Sequence, residues 1–489
     1  MAPSSRGAPP APFFTSGGDA ASADVGTGRR LILISHHFPP GQSVGALRWQ
    51  MMARYAAERG WGLDVVTLDP ASHREGVDLS RLDELPPGVR VYTVPLVRSR
   101  VEGMVNRTWR IVRRLRDVAS RGRRRQPASL AAPADEAPRR AAPAYMSRGE
   151  LMGKRFEPRD LLRTYFAWVE VDLTRRWAHA AADVATRIAR RGVHRAVVTS
   201  GPPHMTHEGG RLVATRTGLA FVMDLRDPWS LSERLPEFVA SKYWYRTAAR
   251  YERRALRRAS LVVSNTEAAA RALRARHPDA AERIITVMNG CDEEPMPRRT
   301  ADGRLPFVIA YAGTIYLDRD PRLLFRAAAR VVRDLALTPA DLQFRFMGQN
   351  EGYDVVAVAR EEGLGDGFVL QSEPRPRRDA LRFLADAALL VSLPQDSEMA
   401  IPAKVFDYAQ FDAWVLALVE RESATGVLLD GSGADVVAPK DVDTMEGVLR
   451  THLAQYRRGE RPRALNAEGR FSRRTQADVL LNALDRITR

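Results

Sequence analysis

The sequence predicts an α/β protein made of two doubly wound domains in tandem, and three observations lead to that prediction. Short apolar runs alternate with longer segments of helical periodicity from residue 31 to the C-terminus. The alternation stops once, at a polar segment near residue 300, and then resumes. Several apolar runs end in turns that contain glycine or proline. Parallel sheets with helices on both faces produce this pattern.

The first series predicts seven strands and five helices. Each strand is a short run rich in Val, Ile and Leu, which is typical of strands buried on both faces of a parallel sheet. The strands are predicted at 31–35, 63–68, 89–94, 196–199, 220–224, 261–264 and 284–288. The helices are predicted at 44–58, 159–191, 204–217, 242–257 and 267–276.

The second series repeats this arrangement with six strands and six helices. Its strands are predicted at 307–312, 343–347, 367–370, 389–393, 414–419 and 435–437. Its helices are predicted at 321–335, 353–362, 377–385, 403–410, 444–455 and 473–488.

Domain limits follow from the two series. We predict an N-terminal domain at 29–297, a hinge at 298–304, a second domain at 304–470 and a final helix within 471–489. Residues 1–28 are rich in Ala, Pro, Gly and Ser and are predicted to be disordered. The apolar face of the final helix is predicted to contain Val479, Leu480, Ala483, Leu484 and Ile487.

Composition restricts the class of protein. The chain has 489 residues, enough for two or three full cores. Its single cysteine, Cys291, excludes an intramolecular disulfide and a cysteine-based zinc site, and favours a reducing, cytoplasmic compartment. No run of about 18 apolar residues indicates a membrane-spanning helix.

The net charge of +16 is concentrated in a predicted insert at about 98–155. Between Arg98 and Glu150 there are 14 arginines against five acidic residues, an excess of nine. The part from Val101 to Val118 has the pattern of a basic amphipathic helix, which favours contact with an anionic membrane surface. A solvated helix followed by a disordered loop is the alternative. Nucleic acid is disfavoured as a partner because no zinc knuckle, helix-turn-helix or aromatic-basic ladder is present.

Two turns are candidate ligand loops. The stretch 401–408 follows an apolar run and opens a helix, where free backbone N–H groups favour an anion. Lys404 adds a positive charge there, and Asp407 offers a carboxylate to sugar hydroxyls, so the pair suits a nucleotide. A capped helix packed on a sheet is the alternative. In the first domain, Gly41 and Gly45 lie in the turn after the first predicted strand, where glycine permits close approach of a ligand.

At this point the chain resembles the GT-B glycosyltransferases, and it is most similar to the retaining family 4 type found in bacterial polysaccharide and glycolipid synthesis. The resemblance runs from about Arg29 to Arg486, apart from the insert. It rests on motifs in the family's order, at 37–45 (HFPPGQSVG), 199–204 (TSGPPH), 224–229 (DLRDPW), 263–266 (VSNT), 287–292 (VMNGCD), 311–316 (YAGTIY), 346–348 (FMG) and 401–408 (IPAKVFDY). The chain departs from the family at Met399, where the first of two glutamates stands in relatives; the loop backbone is predicted to replace it.

The resemblance implies two Rossmann-like domains that face a cleft, with the last helix crossing back to the N-terminal domain. It also implies a nucleotide-sugar donor, a glycan acceptor and no metal or other cofactor. The implied catalytic residues are His204, Arg319 and Lys404. Implied donor-binding residues are Gly313, Thr314, Gly348, Ile401, Pro402, Ala403 and Asp407. Implied acceptor-binding residues are Gly41, Gly45, Arg226 and Asp227.

Other roles for these residues remain open at this stage. His207, one helical turn after His204, is a competing candidate for the catalytic histidine. Arg319 could be held in an ion pair by the aspartates that flank it. Asp227 could belong to a buried Arg–Asp pair beside a core tryptophan, Trp229.

The function predicted is transfer of a hexose from a nucleotide-sugar to a lipid-linked, polysaccharide or other glycan acceptor, with retention and without metal. Such a protein would serve polysaccharide synthesis at the cell envelope, in the cytoplasm or peripherally on the inner face of the plasma membrane. Two alternatives stay open. One is a nucleotide-sugar epimerase of the same fold, and the other is a catalytically idle module that binds a membrane or a partner.

Overall fold

Two parallel sheets with helices on both faces form the structure, as predicted. It is a computed structural model that describes residues 10–17, 29–73, 76–97, 145–292, 296–297, 306–315, 319–349, 353–393 and 397–489. The predicted hinge at 298–304 and the amphipathic segment 101–118 lie outside these residues.

The N-terminal sheet has eight strands in the order β1-β4-β3-β2-β6-β7-β9-β10. All neighbours are parallel except β1, which pairs antiparallel with β4. In register, Leu33 lies between Val65 and Val198. The strands are β1 (Phe14–Thr15), β2 (Arg30–Ser35), β3 (Gly62–Leu68), β4 (Val89–Val94), β6 (His194–Gly201), β7 (Ala220–Leu225), β9 (Leu261–Ser264) and β10 (Ile284–Thr286). A separate antiparallel pair joins β5 (Tyr145–Ser147) to β8 (Arg234–Pro236).

Six α-helices accompany this sheet in the described residues. They are α1 (Leu47–Glu58), α2 (Arg148–Gly153), α3 (Pro158–Ile188), α4 (Thr206–Thr217), α5 (Lys242–Arg258) and α6 (Glu267–Arg276). Short 3-10 helices lie at Val44–Ala46, Pro70–Ser72, Leu79–Leu82 and Pro278–Arg283.

The C-terminal sheet has six parallel strands in the order β13-β12-β11-β14-β15-β16. Ala310 at its centre lies between Arg345 and Leu390. The strands are β11 (Phe307–Ala312), β12 (Leu342–Met347), β13 (Val369–Ser372), β14 (Leu389–Ser392), β15 (Trp414–Leu418) and β16 (Asp435–Val437). The helices are α7 (Arg322–Asp334), α8 (Val355–Glu361), α9 (Arg377–Ala385), α10 (Ala403–Tyr408), α11 (Ala424–Leu429), α12 (Val442–Arg457) and α13 (Arg473–Ile487).

The strand orders locate a crevice in each domain. The order reverses between β2 and β6 in the first sheet and between β11 and β14 in the second. Loops that leave neighbouring strands at such a point diverge to opposite faces of the sheet and open a space for a ligand at the carboxyl ends of the strands. Four of the loops with candidate residues leave these strands, at 36–45, 202–205, 313–315 and 397–402, while Arg226 and Asp227 follow β7 and Gly348 follows β12.

Helix α13 belongs to the core of the N-terminal domain. It packs against a cluster that includes Leu31 of β2 and Trp49 of α1. The predicted crossover is therefore confirmed, but the predicted apolar face was wrong at one position: Val479 is 41% exposed. The buried positions repeat every three to four residues at Ala477, Leu480, Leu481, Ala483 and Leu484.

Two further predictions need correction. The tail was predicted to be disordered throughout, but Phe14–Thr15 extends the sheet edge and Ser16 is buried there. The insert was predicted to reach residue 155, but β5 and α2 are regular elements, and α2 begins with a capping box of Ser147 and Glu150. Among the described residues, no helix is long and apolar enough to span a membrane.

Candidate active site

A cavity of about 380 Å³ lies between the two domains and brings residues of both to one place. The N-terminal domain lines it with loop residues that follow β6 and β7, among them His204 and Asp227. The C-terminal domain contributes Arg319, Ser397 and Ala400. The structure therefore brings three predicted residues, His204, Arg319 and Asp227, to one space, whereas the seven predicted donor-binding residues are not among those that line it.

Lys404 lies at the base of the donor side with its ammonium group buried. Its Nζ atom is 3.8 Å from the centre of the Tyr311 ring and has no hydrogen-bond partner in the described part of the chain. Burial and then the charge of Arg319 lower the pKa of Lys404 well below its ordinary value, while Asp407 opposes the shift. A buried cation with no partner among the described residues suits an anionic ligand.

Gly313 leaves the space that the Lys404 side chain occupies, and Gly348 leaves the space that the backbone of Gly313 occupies. Both have positive φ, 140° and 150°, which favours glycine. A Cβ atom on Gly313 would lie 2.5 Å from the Nζ of Lys404, and one on Gly348 would lie 2.2 Å from the carbonyl oxygen of Gly313. Backbone conformation favours glycine at both positions, and at Gly348 the close approach of the Gly313 backbone also excludes a side chain.

Arg319 links this buried lysine to the cavity. Its Nη1 donates to the carbonyl oxygen of Thr314 at 3.3 Å, and the Tyr311 hydroxyl donates to the same oxygen at 3.0 Å. Asp320, a flanking aspartate considered as its ion-pair partner, instead accepts from the backbone N–H of Arg322 at 2.8 Å. Thr314 therefore contributes its carbonyl group, which fixes Arg319 at the cavity wall.

Asp407 forms a bidentate ion pair with Arg377, which sequence reasoning missed. The two N–O distances are 2.8 and 3.1 Å, and both side chains are partly exposed. Arg377 also lies close enough to Arg81 of the other domain to lower the pKa of Arg81, although burial is the larger cause. Asp407 thus faces the interdomain cleft, while its contact with ribose remains a prediction.

The loop before α10 gives its three candidate residues different surroundings. Ile401 is buried in an apolar cluster, Pro402 occupies the N-cap position, and Ala403 is exposed. Helix α10 has only six residues. Its dipole is correspondingly small, so the charge of Lys404 is the main attraction for an anion here.

In the N-terminal domain, Arg226 ties three loops together. Its guanidinium donates to the carbonyl oxygens of Gly45 at 2.7 Å, Gly201 at 3.2 Å, and Pro202. A Cβ atom on Gly45 would lie 2.1 Å from its Nη1. Gly41 likewise makes room for a side chain, because a Cβ there would lie 2.4 Å from the His73 ring. Gly41 and Gly45 thus allow the side chains of His73 and Arg226 to pack against this loop. Direct contact of these glycines or of Arg226 with an acceptor remains a prediction.

His204, not its competitor His207, faces the cavity. His204 stacks on Trp229 with 5.3 Å between ring centres and lines the cavity wall. His207 is fully buried, and its Nδ1 lies 2.8 Å from the Thr199 hydroxyl. Burial is the largest cause that lowers both pKa values, to about 3 for His207 and well below the ordinary value for His204. Both imidazoles are therefore neutral at pH 7.

Three carboxylates, Glu170, Asp227 and Glu233, border the cavity on the side of the N-terminal domain. Asp227 was predicted, but Glu170 of α3 was missed because no motif surrounds it. The carboxylates of Asp227 and Glu170 are accessible to water inside the cavity. Desolvation by the surrounding protein nevertheless raises the pKa of each one. At Asp227 the positive charge of Arg226 opposes this rise. Carboxylates beside Trp229 and Trp244 provide polar and stacking contacts for a sugar.

Glu252 of α5 holds the loop that carries Asp227 and Trp229. Its buried carboxylate accepts from the backbone N–H of Ser230 at 2.9 Å and from the Ser230 hydroxyl at 2.7 Å. The Nε2 of His277 lies 2.9 Å from the same carboxylate. Sequence reasoning missed this support because its partners are separated along the chain.

Met399 uses its backbone in contacts within the protein. Its carbonyl oxygen accepts from the hydroxyl of Thr266, in the other domain, at 2.6 Å, and its N–H donates to the Ser397 hydroxyl at 3.2 Å. The predicted substitution of backbone for the missing glutamate would require these bonds to change. Within the described ranges, no group of three His, Cys, Asp or Glu side chains could hold a metal ion.

Comparison with known proteins gives the fold its context. No family model matches the chain, and no curated protein is significantly similar to it in sequence. One similar solved structure is a UDP-forming α,α-trehalose-phosphate synthase from Burkholderia xenovorans in complex with glucose-6-phosphate. The TM-score is 0.55 and the sequence identity is 12%, and the alignment covers 93% of this chain and 100% of that one.

Two further structures are similar over nearly their whole length. Sucrose-phosphate synthase from Thermosynechococcus elongatus has a TM-score of 0.54 and 14% identity, over 94% of this chain and 98% of its own. HepE from Anabaena, in complex with UDP and glucose, has a TM-score of 0.52 and 13% identity, over 94% and 99%. The fold is therefore α/β with two Rossmann-like domains and resembles that of GT-B glycosyltransferases.

Proposed function

We propose that this protein is a glycosyltransferase that moves a hexose from a nucleotide-sugar to a glycan acceptor. The observation that carries the proposal is the position of Arg319. It lines the interdomain cavity together with His204 and Asp227, and its charge also acts on the buried ammonium of Lys404, which has no hydrogen-bond partner in the part of the chain that the structure describes. An anionic leaving group and a sugar acceptor would thus meet at this residue.

In the proposed reaction the bond between the sugar C1 and the β-phosphate oxygen breaks, and a bond forms between C1 and an acceptor hydroxyl oxygen. Negative charge grows on the departing diphosphate. Lys404 and Arg319 would stabilise that charge from fixed positions with little bulk water between them, which is worth more than the same contact in solution. Arg377 and Asp407 would lie at the nucleoside end of the donor.

His204 is proposed to face the donor sugar as a neutral hydrogen-bonding group. Its low pKa and its stacking on Trp229 favour a fixed, uncharged ring. Asp227 and Glu170 would accept hydrogen bonds from acceptor hydroxyls, and Trp229 and Trp244 would contact the apolar face of a sugar.

Retention of anomeric configuration is part of the proposal and is based on the family 4 resemblance. The acceptor proton would pass to a phosphate oxygen of the leaving group on the face of attack. The two cations on the donor side support charge neutralisation without a metal. An NMR spectrum of the product would decide the configuration. Inversion would instead make Asp227 or Glu170 the candidate base.

The acceptor is proposed to be lipid-linked or a polysaccharide in cell-envelope synthesis, with the protein in the cytoplasm or peripheral on the inner membrane face. The arginine-rich sequence of the insert and the single buried Cys291 support this location. Separation of cell extracts at low and high salt would test it, since attachment by arginine charges weakens as salt rises.

The experiment that tests the function is a ligand screen followed by turnover. UDP, GDP, ADP and their sugars are added in turn, and the unfolding temperature is measured. One nucleotide series should raise it, less so in Arg319→Gln, while Arg333→Gln, an exposed arginine of the same domain, should behave as the wild type. Conversion of the donor without acceptor would indicate an epimerase. Stabilisation by none of the nucleotides would favour the idle module and overturn the proposal.

A further inference from the structure

Exposed apolar side chains are concentrated on one surface of the N-terminal domain, away from the cavity. Phe156 is 71% exposed, Leu161 64% and Phe238 57%. Met152, Leu162 and Trp168 are also exposed there. We call this set of six side chains the α2–α3 surface.

Defined contacts hold the segments that carry this surface in place. On α3, Leu161, Leu162, Tyr165 and Trp168 fall on one side of the helix, since they are spaced by one, three and three residues. Arg163 joins α3 to the loop of Phe238 through an ion pair with Glu237. The Nζ of Lys242 approaches the carbonyl oxygen of Lys154 at 3.5 Å and so connects α5 to the end of α2.

A cavity of about 330 Å³ opens within the same region. It is lined by Leu151, Phe156 and Tyr243, by the cations Lys154, Lys242 and Arg246, and by one carboxylate, Asp160. An apolar space with more cations than carboxylates in its lining fits an amphiphile that has an anionic head.

The charges on this surface leave a positive excess. Its acids are already paired, Glu157 with Lys154 at 3.0 Å and Asp160 with Arg163 at 2.9 Å. Four cations, namely Arg155, Arg159, Lys242 and Arg246, have no carboxylate partner among the residues that the structure describes. Exposed aromatic and aliphatic groups surrounded by unpaired cations complement an anionic lipid surface, where the apolar groups enter the headgroup region.

Helix α3 connects this surface to the cavity between the domains. Glu170, Val171 and Thr174, about two and a half to three and a half turns after Leu161, line that cavity from the opposite side of the helix. The surface and the cavity are thus separated by about one helix diameter, roughly 10–12 Å, and by about 15 Å along the axis.

We propose that the α2–α3 surface docks on an anionic lipid bilayer and holds the interdomain cavity close to the headgroups. This attachment is distinct from the arginine-rich insert, and it stands without the proposed function. Only its consequence, delivery of a lipid-linked acceptor to the cavity, rests on that function.

Flotation of the full chain with vesicles tests the proposal. The vesicles contain either phosphatidylcholine alone or phosphatidylcholine with roughly 30% phosphatidylglycerol, which provides the negative surface potential. The double variant Phe156→Glu/Leu161→Glu should bind the anionic vesicles about tenfold more weakly or worse. The matched control is Leu335→Glu/Leu370→Glu, which alters two exposed leucines of the other domain and should bind as the wild type.

A second variant separates charge from apolar contact. Arg155→Gln/Arg159→Gln/Arg246→Gln should lose most of its preference for phosphatidylglycerol, and wild-type binding should fall as salt rises through 0.1–0.3 M. The insert is intact in every variant, so unchanged binding of both would show that the insert alone attaches the protein and would overturn the proposal.

Two other outcomes would also overturn it. One is wild-type protein that floats with neither vesicle. The other is a dimer in light scattering that Leu161→Glu converts to a monomer, which would assign the surface to a second copy of the chain. Nucleotide-induced stabilisation, measured on the same variants, should equal that of the wild type, so failure of docking is distinguishable from failure of the proposed transfer.

Discussion

Replacement of Lys404 by methionine should stabilise the ligand-free protein and remove most of its activity. Methionine fills a similar apolar volume, so the packing against Tyr311 is largely kept. The substitution removes a buried ammonium that has no hydrogen-bond acceptor in the described residues, a defect that costs about 1–3 kcal/mol. Loss of the contact with the Tyr311 ring at 3.8 Å offsets about 0.5–2 kcal/mol of that gain.

The net gain is about 1 kcal/mol, which raises the unfolding temperature by about 2–4 °C for a domain of this size. The gain has a pH dependence with a defined sign. Folding lowers the pKa of Lys404, so the unfolded chain binds more protons at this site than the folded chain does. The free energy of unfolding of the wild type therefore rises as the pH rises toward the ordinary pKa of lysine. The advantage of the methionine variant should therefore shrink with rising pH.

Activity should change in the opposite direction. A cation that stabilises charge on a departing diphosphate contributes about 2–4 kcal/mol to the transition state, equivalent to a loss of roughly 30- to 1,000-fold in kcat. Calorimetry of unfolding and turnover with the donor found in the ligand screen would measure both effects. Lys440→Met, an exposed lysine of the same domain, is the matched control. Near-normal turnover, or a clear drop in unfolding temperature, would refute this account of Lys404.

Three further predictions concern proton exchange, the acceptor loop and the last helix. Binding of a nucleoside diphosphate should raise the pKa of Lys404, so the complex takes up protons as it forms. In titration calorimetry the binding enthalpy should then depend on the buffer, and Lys404→Met should abolish that dependence. A buffer-independent enthalpy for the wild type would contradict the prediction. Glu252→Gln should weaken the hydrogen bonds that the carboxylate accepts from Ser230 and lower the free energy of unfolding by about 1–3 kcal/mol. It should also raise the KM for the acceptor while the affinity for the donor stays unchanged. An equal effect on both substrates would argue against a local role. Leu484→Ala should lower the free energy of unfolding by about 2–5 kcal/mol, whereas Val479→Ala should change it by less than about 0.5 kcal/mol. Denaturant titration measures both values, and the reverse order of the two variants would disprove the placement of α13.

The sequence was a good guide to elements whose pattern is local. The strand at 307–312 and the helix at 267–276 have their predicted limits, because a continuous Val-Ile-Ala run and a Thr266 cap are visible within a few residues. The Lys404 and Gly313 loops could be singled out for the same reason, since each follows a buried strand. The β1 strand was not predictable, because two residues acquire a strand conformation only by pairing with β4.

The candidate site shows where local information ends. The partnership of Asp407 with Arg377 joins residues 30 positions apart, and Glu252 supports Ser230 from another helix. Gly45 is small because Arg226, 181 positions later, occupies the space above it. Such pairs have no signature in either segment alone.

The sequence by itself determined the two-domain α/β architecture, the loops that carry the candidate residues and the charge of Lys404. Hydrophobic periodicity, turn residues and side-chain charge can all be identified within short stretches of the chain. Tertiary structure alone decided which histidine faces the cavity, which face of α13 is buried, and that the Lys404 ammonium has no hydrogen-bond partner within the described ranges. Those outcomes depend on burial and on contacts between distant segments. Desolvation, which makes His204 and His207 neutral and lowers the pKa of Lys404, exists only once the chain has folded around them.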